Sequence, residues 1–240
     1  MTAVERINLE PAFVLHGRAY RETSEILDLL TRNHGRISLV ARGMRTAKAG
    51  LRAVLQPFQP VAVSWTGRGG SLMNLRAAEA AGRAGSLRGT ALMSAYYVNE
   101  LILRFLHKGD PHPQLFGSYA EVIHRLGVGE PADVVLRRFE MELLSQTGYG
   151  LNLEFDAVSG EPLVPSGCYQ YVVERGAVPA EPGVEASLVY SGAELLAIGR
   201  SAFDDGIHLA CARRLLRAVL DHHLGGKPLR TRQVFAAMRR

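Results

Sequence analysis

The chain has 240 residues, 47% of them apolar, and 28 Lys and Arg against 23 Asp and Glu give a net charge of +5. That composition provides for one or two cored domains and excludes wholesale disorder. Two cysteines, Cys168 and Cys211, exclude a disulfide framework and a four-cysteine zinc site, and the absence of an apolar run of about 18 residues or an apolar leader predicts a soluble, cytoplasmic protein without a membrane span.

The first 80 residues read as strands and turns. An extended segment runs from Phe13 to about Tyr20, and Glu25–Leu30 follows. Arg32-Asn33-His34-Gly35 is a turn signal, because Gly35 can take a positive φ. Arg36–Ala41 alternates and is rich in β-formers. Val61–Trp65 is a fourth strand, entered through Pro57 and Pro60, and Gly67-Arg68-Gly69-Gly70 turns the chain into a fifth at Ser71–Ala77. Five short strands in this length predict a small closed or partly closed barrel.

From Ser86 the period changes to that of a helix. Ala91, Ala95, Val98, Ile102 and Phe105 form one stripe. Asp110-Pro111-His112-Pro113 breaks it. Leu115, Tyr119, Val122, Ile123 and Leu126 mark a second helix. Pro131 opens a third, buried through Val135, Leu136, Phe139, Leu143 and Leu144. Short connections predict that the three pack as a bundle. Residues from about 150 to 190 are irregular, with a hairpin expected at Cys168–Glu174. Ser191 is placed to cap a short helix through Ile198. A long helix from about Ile207 to Leu224 precedes a basic tail.

Charge is uneven along the chain. Residues 1–82 carry a net +5, residues 83–150 zero, residues 151–207 a net −7 and residues 208–240 a net +7. The densest basic run, Arg32, Arg36, Arg42, Arg45, Lys48 and Arg52, contains no acid. Such a run attracts polyanions, because phosphate contacts release condensed counterions.

Motifs for chemistry are absent. Gly226-Lys227 is followed by Pro228 and is no phosphate-binding loop. There is no nucleophile elbow. The eight histidines are scattered, and His222 and His223, one step apart on a helix, are expected on different sides and not on one ion. No catalytic residue, metal or cofactor is expected. Binding remains: basic groups on a barrel, with aromatic rings available for base stacking. Phe13 and Phe58 fall in apolar segments and read as core; Tyr20 and Trp65, at strand ends, fit either role.

Several segments in order identify a likeness. Ala12-Phe13-Val14-Leu15-His16, Tyr20-Arg21-Glu22-Thr23-Ser24 and the stretch His34–Gly43 resemble the amino-terminal signature of the bacterial recombination mediator RecO. Leu55-Gln56-Pro57-Phe58, Tyr97–Leu101, Leu136–Glu140, Gly148-Tyr149-Gly150 and Leu224–Leu229 continue it over nearly the whole chain. The resemblance implies an α+β protein: a five-stranded OB-fold β-barrel in residues 1–82, then a mainly helical domain in residues 83–240 with an irregular insertion at about 150–190. It implies non-catalytic work in DNA repair on the nucleoid. That work comprises binding single- and double-stranded DNA, annealing complementary strands, and helping to load recombinase onto DNA coated by single-stranded-DNA-binding protein. RecR is the implied companion. Some members carry a four-cysteine zinc site after the third helix; with only Cys168 in that region, this chain resembles the zinc-free branch.

The expected DNA contacts are Arg32, Arg36, Arg42, Arg45, Lys48 and Arg52, extended by Lys227, Arg230 and Arg232 if the tail folds back. Leu136, Arg137, Arg138 and Phe139 are the expected seat for the acidic C-terminal tail of single-stranded-DNA-binding protein, through an apolar pocket beside a cation. A surface pair of Arg137 with Glu140 is the plainer alternative. The competing function is a generic OB-fold RNA-binding or ribosome-associated factor, because phosphate attraction does not distinguish sugars.

Overall fold

Strand β1 (Glu5–Tyr20) is long because it serves two neighbours in turn. Its first part pairs with β4 (Pro60–Gly67) and its later part with β2 (Ser24–Thr31). Register shifts between Ile7 and Glu10 and between Val14 and His16 let it bend. Strand β3 (Gly35–Ala41) follows β2 through a tight turn, and β5 (Met73–Ala80) pairs antiparallel with β4 and parallel with β3. The order β1-β2-β3-β5-β4 closes a five-stranded, OB-like barrel. This is a computed structural model, and it describes residues 5–44, 49–67, 72–82, 85–181, 183, 189–203 and 206–238.

Alternation fills the barrel. Val14, Leu27, Leu29, Ile37, Leu39, Val61, Val63 and Trp65 point inward and are buried, with Met44 and Leu55 among them. Trp65 is therefore core, packed edge-on to His34 with ring centroids 5.2 Å apart. Phe13 and Phe58 are buried as well. A short helix, α1 (Ala49–Val54), lies between β3 and β4 and packs Leu51 and Val54 on this core.

The outer face of β1 and β2 is also apolar at one end, through Phe13, Leu15 and Leu30, and an exposed apolar sheet face needs a cover. Helices α2 (Gly89–Phe105) and α3 (Pro113–Gly127) supply it. Phe13 meets Phe116 and Tyr119 at 5.3 and 4.9 Å between centroids. The bulge in β1 leaves Leu15 out of the ladder; its carbonyl accepts from buried Asn99 Nδ2 at 2.8 Å. Tyr119 Oη donates to Asn99 Oδ1 at 2.8 Å, and burial pushes the Tyr119 hydroxyl well above its ordinary pKa. One amide thus joins strand, α2 and α3.

The chain forms two compact units, residues 1–130 and 131–240. The three helices expected to form one bundle are divided between the units. Helix α2 pairs with α3 and the barrel, whereas α4 (Ala132–Gln146) pairs with α6 (Gly206–His223) in the second unit. The demand of the outer barrel face for cover decides the partition. In the second unit β6 (Cys168–Val172) and β7 (Gly176–Pro179) make a hairpin that starts at Cys168 as expected but runs past the expected end at Glu174, and β8 (Val189–Ser191) joins the other edge of β6. Helix α5 (Gly192–Gly199) starts with a capping box between Ser191 and Glu194. Gly225 and Gly226, both at positive φ, end α6, and buried Leu229 anchors α7 (Arg230–Met238). No described helix is long and apolar enough to cross a membrane.

Candidate nucleic-acid interface

The basic run that looks continuous in sequence is divided by the barrel. Strand β3 separates Arg36, near its start, from Arg42, just past its end, and six residues of strand span about 20 Å. The two ends have different surroundings.

At the hairpin end, Arg36 lies on the outer face under α2. Its guanidinium donates to the Leu103 carbonyl at 2.6 Å, one of the last carbonyls of α2, which have no partner inside the helix. Arg36 is half-buried and caps that helix across the fold, which corrects its expected place in an open phosphate-binding patch. Its backbone carbonyl accepts from Gly109 at 2.9 Å. Gly35 has φ +64°, and a Cβ there would meet the Asp110 carbonyl oxygen at 2.0 Å. Glu10 accepts from the Asn33 backbone at 2.6 Å and from its side chain at 3.1 Å, and His34 Nδ1 lies 3.5 Å from it. Arg32 is exposed, with its guanidinium 5.4 Å from the Phe116 ring.

At the other end the outer face carries a groove, with Ile26 and Val40 buried and Arg18 exposed. Register places Arg18 beside Ile26, Ile26 beside Val40 and Val40 beside Asn74 across four strands. Next to this row is a groove of about 730 Å³, lined by Tyr20, Arg21, Ser24, Val40, Arg42 and Leu72 among others. Arg21 sits in the β1–β2 turn at φ +53°, its guanidinium 5.1 Å from the Tyr20 ring. Arg42 is exposed, and so is Leu72, at 41%. A ring, an apolar surface and two cations, with the carboxylate of Glu22 beside them, line one groove that can stack a base and hold its phosphates. Arg21 and Leu72 were not among the expected contacts. The pointer to Arg21 was the Tyr20–Ser24 segment, which carries the family likeness but no dense charge.

Arg45 and Lys48, from the same run, lie outside the described residues. Arg52 is exposed on α1. In the second unit Lys227 and Arg230 are exposed, while Arg232 donates to Asp221 Oδ1 at 2.5 Å and is only 24% exposed. The basic tail is thus partly a helix held to α6.

The expected peptide seat on α4 is largely interior. Leu136 and Phe139 are buried at 7% and 2%, closed into the helical core and offering no open apolar pocket. Arg137 is buried and donates to Glu140 at 2.5 Å, so the plainer pairing is the one that forms, inside the unit and not on its surface. Only Arg138 of the four is exposed. The histidine expectation also needs correction: ligand atoms of His222 and His223 do converge, together with Glu174.

Comparison with known proteins adds the following. Residues 7–83 match the family model described as Recombination protein O N terminal, and residues 87–233 match Recombination protein O C terminal. The chain is 46% identical over 230 residues to the DNA repair protein RecO of Methylococcus capsulatus, covering 96% of this chain and 93% of that one. It is 44% identical over 235 residues to the protein of the same name from Ralstonia nicotianae, covering 97% and 85%. The corresponding figures for the Azoarcus sp. protein are 41% over 237 residues, covering 98% and 97%.

Proposed function

Because the chain belongs to the RecO family of DNA repair and recombination proteins, we propose that it acts as a non-catalytic mediator, binding single- and double-stranded DNA and annealing complementary strands. In this reading it works in the cytoplasm on the nucleoid. It helps load recombinase onto DNA coated by single-stranded-DNA-binding protein, with RecR and the acidic tail of that protein as partners. The observation that carries the reading is the open groove at Tyr20, Arg21, Arg42 and Leu72. Cations there lower the repulsion between two phosphate backbones, and contacts to backbone and ring faces leave base edges free to pair. No bond need be made or broken. For the acidic tail, Arg138 is the exposed cation on α4 from which docking would be organised.

The test is binding and annealing of labelled complementary oligonucleotides by wild type and by the double variant Arg21→Glu, Arg42→Glu. The expected result is a loss of at least about tenfold in single-strand affinity. The dependence of log affinity on log salt should flatten by about 1 to 2, since each phosphate contact contributes about 0.7. Annealing should fall in parallel. Equal affinity and slope in the two proteins would remove the groove from the function.

A further inference from the structure

We propose that Glu174, His222 and His223 form a site for one divalent transition ion of the zinc class, clipping the β6–β7 turn to the end of α6. Glu174 lies in the turn between the two strands, and the histidines are the last two residues of the helix. One ligand atom from each of the three lies within 4.8 Å of the others. His222 Nε2 is already 3.5 Å from Glu174 Oε1. Around a tetrahedral zinc with bonds of about 2.0–2.1 Å, neighbouring ligand atoms sit about 3.3 Å apart. Side-chain shifts of about 1 Å therefore complete the set, and Glu174 and His222, both exposed, are free to make them.

The geometry around the set restricts it usefully. Tyr149 stacks on His223 with centroids 4.0 Å apart and planes 29° from parallel, which fixes that imidazole's plane. The two imidazoles meet edge to face at 5.2 Å. Successive helix residues diverge at Cβ by about 100°, but these rings are long enough to bring nitrogen atoms back together at the helix end. Two imidazoles and one carboxylate match the ligand preference of zinc, cobalt or nickel and not the all-oxygen shells of calcium or magnesium. A fourth position is left for water. Arg175 lines the adjoining cleft of about 300 Å³ and tempers the affinity for a cation. The site owes nothing to thiolates: Cys168 is exposed on β6, and Cys211 donates to Glu194 at 2.8 Å. It is independent of the DNA groove, so neither proposal falls with the other.

Titrate the full-length, untagged protein with zinc at near-neutral pH by calorimetry, and with cobalt by visible absorbance. The expectation is one high-affinity equivalent, a tetrahedral cobalt spectrum, and a zinc-dependent rise in Tm. Glu174→Gln and His222→Gln should each weaken zinc at least about tenfold, a change of 1.4 kcal/mol, and abolish the Tm rise. Both side chains are exposed, so metal-free melting should match wild type. Absence of saturable zinc binding in wild type, or equal zinc affinity in the two variants, would overturn the site and leave an ordinary Glu174–His222 ion pair. The cobalt spectrum of the wild type decides independently of any variant.

Discussion

The two ends of strand β3 carry the same residue type in opposite roles. Arg36 faces α2, closes that helix's last turn and holds the α2–α3 connection against the barrel. Arg42 faces solvent beside Tyr20 and Arg21 in an open groove. The difference teaches that a run of cations has no single function; what covers each position decides it. Here the cover comes from residues far along the chain, because Leu103 is 67 positions from Arg36. The hairpin end is a fastening, and the groove end is left for the proposed interface.

The strongest way to break this contrast is Gly35→Ala. The backbone there is left-handed, and the new methyl would meet the Asp110 carbonyl oxygen at 2.0 Å. Strain and the required backbone shift together should cost about 3 kcal/mol or more. Urea unfolding followed by circular dichroism measures it, and a loss below about 1 kcal/mol would mean that the fastening is soft. Next in size is Arg36→Ala. It removes a charged hydrogen bond to a helix end and should cost about 1.5–3 kcal/mol, whereas Arg42→Ala should stay within about 0.5 kcal/mol of wild type. Similar losses in the two variants would erase the distinction.

Much of this architecture was readable in the residues. Ile37, Leu39 and Ala41 alternate with Arg36, Ser38 and Val40, so inner and outer faces of β3 follow from period two alone. Ser191 with Glu194 announces the start of α5. Local pattern could not say where helices return. Nothing near Arg36 signals that α2 will lie on it, and nothing near Leu136 and Phe139 says whether their apolar face meets a partner or α6. Arg137 shows the limit well: its spacing to Glu140 was plain, but the burial of the pair depends on packing from distant elements. The family models meet between residues 83 and 87, while the compact unit runs on through α3, because the outer barrel face takes two helices for its own core. His222 and His223 mark a different limit, since Cβ directions do not fix where long ring side chains end.

The groove end is sharpened by Tyr20→Ala. Stacking of a base on an aromatic ring is worth about 1–3 kcal/mol by alanine substitution. Single-strand affinity should fall about five- to tenfold, toward the low end, because the ring is only partly exposed and already carries Arg21. Duplex affinity should change by less than about twofold, since paired bases are not available to the ring. Fluorescence anisotropy with matched single and double strands separates the two. Equal losses for both would make Tyr20 a support for Arg21 and not a stacking platform.

The smallest effect tests the fastening end where it reaches solvent. Arg32 is exposed, and its guanidinium lies over the Phe116 ring at 5.4 Å. An exposed contact of this kind is worth about 0.5–1 kcal/mol, so Arg32→Ala should lower Tm slightly. Arg32→Lys should restore part of that loss, because a cation over a ring keeps its attraction with a different head group. Single-strand affinity should remain within about twofold of wild type at every salt concentration, because Arg32 is separated from the groove by the length of β3. A flattened salt dependence in Arg32→Ala would show that phosphates reach the hairpin, and the interface would then extend along the whole outer edge of the barrel.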